Sequence, residues 1–274
     1  SEDGWKVAVD SDNGCPDFLK LPGRSCKPRQ TGVTHVLDKG VTLRDVEATL
    51  AFAGPIVDIW KFGWGTAYVD RHLPAKLAVL EQAAVHACTG GTLLEIAWVQ
   101  GRTAEFFDWA VTVEMPCVEV SNGATGLPVS AKRELISEAL DCGLTVLSEV
   151  GSKDPTVPVS PDQWVEEIAG DIRAGAFLVV AEGRESGTVG LYTEDGEIRN
   201  DVVAAIDQSV DGSRIIYEAP RRNQQAGLIR RLGPAVNLGN IAVTDILSVE
   251  TLRLGLRSDT MSLATADRVH GCQQ

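Results

Sequence analysis

The chain has 274 residues, 44% hydrophobic and 23% charged, which is ordinary for a globular protein able to bury a core. A formal net charge of −13 argues against a nucleic-acid or anionic-membrane partner, because both demand clustered lysine and arginine, whereas a small anionic substrate needs only a local positive pocket. No apolar stretch approaches the roughly 20 residues that span a bilayer, and the acidic N-terminus lacks a signal-peptide core, so a cytoplasmic location is expected.

Residues 1–30 are rich in Gly, Pro and Asp and read as an N-terminal extension, with residues 31–274 as one domain. Eight short apolar runs then follow, at 32–40, 55–63, 84–91, 117–123, 144–151, 176–184, 213–220 and 234–242. Continuous apolar runs of this length suit strands buried on both faces, as in parallel sheets. Amphipathic stretches lie between them at 43–54, 68–83, 130–143, 160–175 and 243–257. Ser130 and Ser160 are candidate N-caps, Pro161 suits a first helical position, and Gly143 suits the residue after a helix end. Eight strands alternating with helices predict an α/β chain folded as a single (β/α)8 TIM barrel. The competing open doubly wound sheet would carry a Gly-rich fingerprint after its first strand, and "LDKGVT" is not one.

Cysteines at 15, 26, 88, 117, 142 and 272 show no C-x-x-C spacing and are expected to be free thiols. Histidines at 35, 72, 86 and 270 show no zinc spacing and read as structural.

In a (β/α)8 barrel the chemistry sits at the C-terminal ends of the strands. Those ends here carry Lys39, Lys61, Glu119, Glu149, Lys153, Glu182, Arg184 and Asn240, with glycines close by. Glu119, Glu149 and Glu182 each follow buried residues and are expected to converge in the mouth. Three convergent carboxylates repel unless a cation sits between them, and oxygen-only donors favour Mg2+. Lys27, Arg29, Lys39, Lys61 and Arg184 are the cations expected near the mouth, with the backbone of Gly90 and Gly91 available to an anion. The loops after strands 7 and 8 are the usual phosphate site of this fold, which adds Gln224, Gln225 and Asn240 as substrate-binding candidates.

Nine segments in order, "KPRQTGVTHVLDKG", "DIWKFGWGTA", "GGTLLEIA", "VEVSNG", "LSEVGSKD", "EGRESGTVGLY", "EAPRRNQQ", "VNLGNI" and "ETLRLGLRSDT", resemble the phosphosulfolactate synthase family from about residue 27 to 260. The resemblance implies a (β/α)8 barrel with Mg2+ that adds sulfite to phosphoenolpyruvate, giving (2R)-phospho-3-sulfolactate on a route to coenzyme M. It implies a general-acid role for Lys153, with Lys61 the second catalytic candidate. Two departures stand out: Ser152 precedes Lys153 where family members often carry a second lysine, and Asn122 stands where Asp is common. Two other readings stay open: a different barrel lyase or aldolase using Lys61 or Lys153 as a Schiff base, and a non-catalytic, stress-associated barrel. Barrels commonly pair through their outer helices, so an oligomer of identical chains is expected.

Overall fold

The structure, a computed structural model, describes residue 16 and residues 18–151 and 159–269, with side chains to residue 265. Eight parallel strands close into a barrel in chain order: β1 (Thr34–Asp38), β2 (Ile59–Phe62), β3 (His86–Thr89), β4 (Cys117–Val120), β5 (Thr145–Val150), β6 (Leu178–Ala181), β7 (Ile215–Glu218) and β8 (Leu238–Ala242). The predicted fold class is the observed one.

Side chains alternate across each strand, and the alternation explains the sequence pattern. One set faces the helices: Val36, Trp60, Phe62, Val118, Val146 and Val179 pack with Leu50, Leu80, Ile136 and Ile168 in the main core. The other set fills the barrel with a small apolar plug of Val33, Ile59, Cys88, Cys117, Leu147, Leu178, Val180 and Ile216. Two residues further along, the same inward face carries a charge on five strands. Ile59 leads to Lys61, Cys117 to Glu119, Leu147 to Glu149, Val180 to Glu182 and Ile216 to Glu218, all of them buried. The floor is therefore dry and the layer above it ionic.

The helices depart from expectation in instructive places. The stretch 68–83 divides into Thr66–Val69 and Leu73–Gln82, because Pro74 supplies no N–H and fits only the first turn of a helix. Between β3 and β4 the chain forms two helices, Gly91–Val99 and Thr103–Thr112, whose apolar composition hides their period. The helix Val129–Asp141 is preceded by Pro128, so Ser130 lies inside its first turn instead of capping it. Ser160 does cap Pro161–Ala174: its hydroxyl accepts from Gln163 N, and Gln163 Oε1 accepts from Ser160 N. Cys26, Cys88, Cys117 and Cys142 are free thiols; Cys15 and Cys272 lie outside the described residues.

Residues 24–33 run beneath the N-terminal ends of the strands. Arg24 pairs with Glu250 at 2.7 Å, and Gly32 N donates to Ala235 O. Behind β5, the fully buried Lys132 donates to the main-chain oxygen of Glu149 (2.6 Å) and pairs with Asp171 (2.7 Å) and Glu167 (2.9 Å). Asp171 also accepts from Ser148 and Arg133. Removing one partner of a fully buried pair leaves an uncompensated charge, at a cost of about 3–5 kcal/mol. Lys132→Met is expected to lose stability of that order in urea unfolding at neutral pH, and adding Asp171→Leu to recover part of it.

Candidate active site

Lys61 reaches up from the apolar plug into a ring of carboxylates. Its Nζ lies 3.1 Å from Glu119 Oε2, 3.1 Å from Glu218 Oε1 and 3.9 Å from Glu149 Oε2. Burial alone would lower the pKa of this ammonium, but Glu119, Glu218 and Glu149 outweigh burial and hold it well above the ordinary lysine value. Its neighbours thus favour the charged form of Lys61. Glu119 feels the opposite balance. Burial and the neighbouring Glu149 and Glu218 carboxylates raise its pKa to about 7, against the pull of Lys61 and of Gly91 N.

Glu149, Glu182 and Glu218 present carboxylate oxygens that all lie within 4.8 Å of one another. Three buried oxygen donors, with no imidazole or thiolate among them, suit a hard divalent cation such as Mg2+. The group that the structure brings together differs from the expected set of Glu119, Glu149 and Glu182 in one member. Glu119 Oε2 faces Lys61 and its Oε1 accepts from Gly91 N at 2.9 Å, and Glu119 is not among the residues whose oxygens meet within 4.8 Å. Glu218 takes its place, steadied by Gly183 N at 2.9 Å. Sequence reading did not place Glu218 in this group, although it follows Ile216 at the same two-residue spacing that marks the other charges. Glu182 Oε1 accepts from Arg184 N, which ties the loop after β6 to the cluster.

Above the ions opens a cavity of about 480 Å3 whose rim includes Trp64, Gly90, Arg184, Glu185 and Asn240. Among the described residues, five that are not glycine have positive φ, and three of them, Trp64, Arg184 and Asn240, line this cavity. Strained backbone gathers where the chain is held for a ligand.

The remaining candidates divide by place. Gly90 and Gly91 do line the cavity, but their missing side chains serve close protein packing. A Cβ on Gly90 would lie 2.5 Å from Trp64 N, one on Gly91 would strike Ser121 Oγ, and Gly91 N–H is already given to Glu119. Arg184 stands on the rim. Lys39 pairs with Glu185 at 3.0 Å, linking the loops after β1 and β6, and both side chains are about half exposed.

Four of the expected residues serve elsewhere. Lys27 donates to Ala83 O and Ala84 O, and Arg29 to Pro55 O and Asp58, all before the starts of β2 and β3. Both cations therefore brace the opposite end of the barrel, because the segment that carries them precedes β1. Gln224 donates to Gly187 O and Gly196 O, and Gln225 to Ala219 O, so both amides are spent on shaping loops. Lys153 lies outside the described residues. Glu95, fully buried, accepts from Ser121 Oγ, Ala124 N, Thr125 N and Thr125 Oγ1 and so folds the loop after β4 against the mouth.

The (2R)-phospho-3-sulfolactate synthase (ComA) family model matches residues 22–259. A phosphosulfolactate synthase of Methanothermobacter thermautotrophicus is 41% identical over 250 residues, covering 89% of this chain and 96% of the relative. One of Bacillus subtilis is 40% identical over 251 residues, covering 90% and 99%. Among solved structures, 3-hexulose-6-phosphate synthase from Salmonella typhimurium is similar with a TM-score of 0.51 at 14% identity, over 85% of this chain and 94% of that one. The carboxyl transferase domain of Rhizobium etli pyruvate carboxylase is similar with a TM-score of 0.55 at 12% identity, over 79% of this chain and 41% of that one. Identities this low speak to the fold alone.

The raised pKa of Glu119 has a measurable sign. A carboxyl that holds its proton more tightly when folded contributes stability below its ordinary value of 4.5, and that contribution is lost as the pH rises through about 7. In EDTA, the wild-type chain is expected to lose thermal stability relative to Glu119→Gln as the pH is raised from about 5 to about 8. Differential scanning fluorimetry of the two proteins side by side checks this, and a difference that stays flat across the range refutes it.

Proposed function

The chain belongs to the (2R)-phospho-3-sulfolactate synthase family, and from that premise we propose that it adds sulfite to phosphoenolpyruvate to form (2R)-phospho-3-sulfolactate. The observation that carries the reading is the mouth itself: Lys61 clamped between Glu119 and Glu218, next to three carboxylates that converge on one point.

The sulfur lone pair of sulfite attacks the methylene carbon of phosphoenolpyruvate and forms the carbon–sulfur bond. The double-bond electrons move to the carbon bearing phosphate and spread into the carboxylate. One proton delivered to that carbon completes the product. Both reactants are anions, so the site must offset their repulsion and stabilise the charge that develops. Mg2+ held by Glu149, Glu182 and Glu218, directly or through water, would supply Lewis-acid polarisation of the substrate carboxylate. Lys61 balances the carboxylates from below and helps hold them in place. Arg184 and Lys39 offer positive charge at the rim. Lys153, carried on the loop after β5, is assigned as the acid that protonates carbon.

The protonation state of Lys61 speaks against the aldolase alternative for that residue, since a Schiff base needs a free amine and Lys61 is held as ammonium by its neighbours. The ionic layer likewise weighs against a non-catalytic barrel, because buried charge costs stability that a purely structural protein would gain from apolar packing.

Phosphorus NMR of the purified protein with phosphoenolpyruvate, sulfite and MgCl2 is expected to show a new phosphate-ester signal that requires sulfite and vanishes with EDTA. Absence of that signal from a folded protein sinks the assignment. Lys153→Ala is expected to lower turnover by roughly 10²–10⁴-fold with the fold intact. Near-normal turnover in that variant removes the proposed acid.

A further inference from the structure

The seam between β8 and β1 is irregular. Thr34 pairs with Leu238, but Val36 pairs with Ile241, so β8 carries one extra residue over this interval. A bulge of this kind bends a strand and re-aims a side chain, and bulges gather beside active sites. The residue thrown out of register is Asn240, with φ +52°, in the left-handed region. Asparagine tolerates that region better than most side chains, but glycine would hold it with no strain.

Three contacts build the bulge. Gly239 leaves room for the ring of His35: a Cβ there would stand 2.9 Å from His35 Nδ1 and 2.8 Å from Ile216 Cγ2. His35, fully buried, has its pKa pushed well below the ordinary value by burial, then by Lys61, and so is neutral with an acceptor nitrogen to offer. Its Nδ1 accepts from Asn240 N at 3.4 Å. The Asn240 side chain then lies in the cavity wall, only 6% exposed, and its Oδ1 is buried with no hydrogen-bond partner among the described residues. Strained backbone of this kind persists where its surroundings hold it, and it gathers at ligand sites.

We propose that Asn240 is a substrate-contacting residue whose amide hydrogen-bonds an anionic oxygen of the substrate, and that His35 is the positioning residue that holds the bulge for it. The inference rests on the reading of the mouth as a phosphoenolpyruvate site. With Oδ1 turned inward, the amide NH2 is the end left for the ligand, and a carboxylate or phosphoryl oxygen is its natural acceptor. Adjacent Glu218, which faces Gly239 across the β7–β8 pair, places this amide beside the carboxylate cluster.

The test uses Asn240→Gly, which keeps the left-handed backbone free of strain and removes only the amide. Calorimetry with phosphoenolpyruvate in MgCl2 is expected to show binding weakened by about 10- to 100-fold, with the Tm held at or above that of the wild type. Pyruvate and inorganic phosphate, titrated separately, identify which end is held: the one whose binding also weakens carries the contacted oxygen. His35→Leu is expected to weaken binding as Asn240→Gly does, and His35→Asn, whose Oδ1 can replace Nδ1 as acceptor, to restore it. In the turnover assay both defects are expected to raise KM more than they lower kcat. Equal binding by the wild type and Asn240→Gly overturns this inference alone. No binding of phosphoenolpyruvate by the wild type overturns the reading of the mouth and this inference with it.

Discussion

Lys61 sits where β4, β5 and β7 would otherwise drive carboxylates against one another, and its ammonium lies 3.1 Å from both Glu119 and Glu218. In a buried layer the mutual repulsion of Glu119, Glu149 and Glu218 is weakly screened, so their convergence is stable only around a cation. One lysine offsets part of this. Beside it, Glu149, Glu182 and Glu218 bring carboxylate oxygens within 4.8 Å of one another.

The rest of the barrel holds that layer in place. Below it, the apolar plug from Val33 to Ile216 excludes water and fixes the height at which each charge emerges. Behind it, Lys132 grips the main chain of Glu149 from the helix side, and Glu95 gathers the loop after β4 with four hydrogen bonds. Tyr192 donates to the main-chain oxygen of Glu218 from the long loop after β6. Glu149 and Glu218 are thus fixed through their backbones by side chains from outside the ionic layer, as precise sites require.

The barrel was legible in the sequence because buried parallel strands leave continuous apolar runs, and the ionic layer because charges interrupt those runs at strand ends. Glu149 and Glu182 were found by that signal. Glu119 and Glu218 obey it equally, and nothing in sequence spacing says which of the two answers Lys61 alone and which also faces the cluster; that is decided by how the strands tilt around the ring. Lys27 and Arg29 were misplaced because the cations of a leading segment can brace either end of a barrel, and only the path of residues 24–33 beneath the strands selects one. The bulge at Asn240 left no trace in the pattern, since one extra residue in a five-residue strand is invisible without its partner.

The seam where the ring closes has a kinetic consequence. Arg253, fully buried, donates to Pro234 O and Val236 O and, across 220 residues, to Val33 O. Arg24 reaches Glu250 over a separation of 226. Among the described residues these contacts close very long loops, and they join the segment before the first strand to the helix after the last. During synthesis β1 must wait, with one edge open, until nearly the whole chain has emerged, so the closing of the ring belongs to the final stage of folding. Until then the half-built barrel displays the inward face of its early strands, Lys61 and Glu119 included, to water. The charges that serve the finished mouth also keep that unfinished edge soluble.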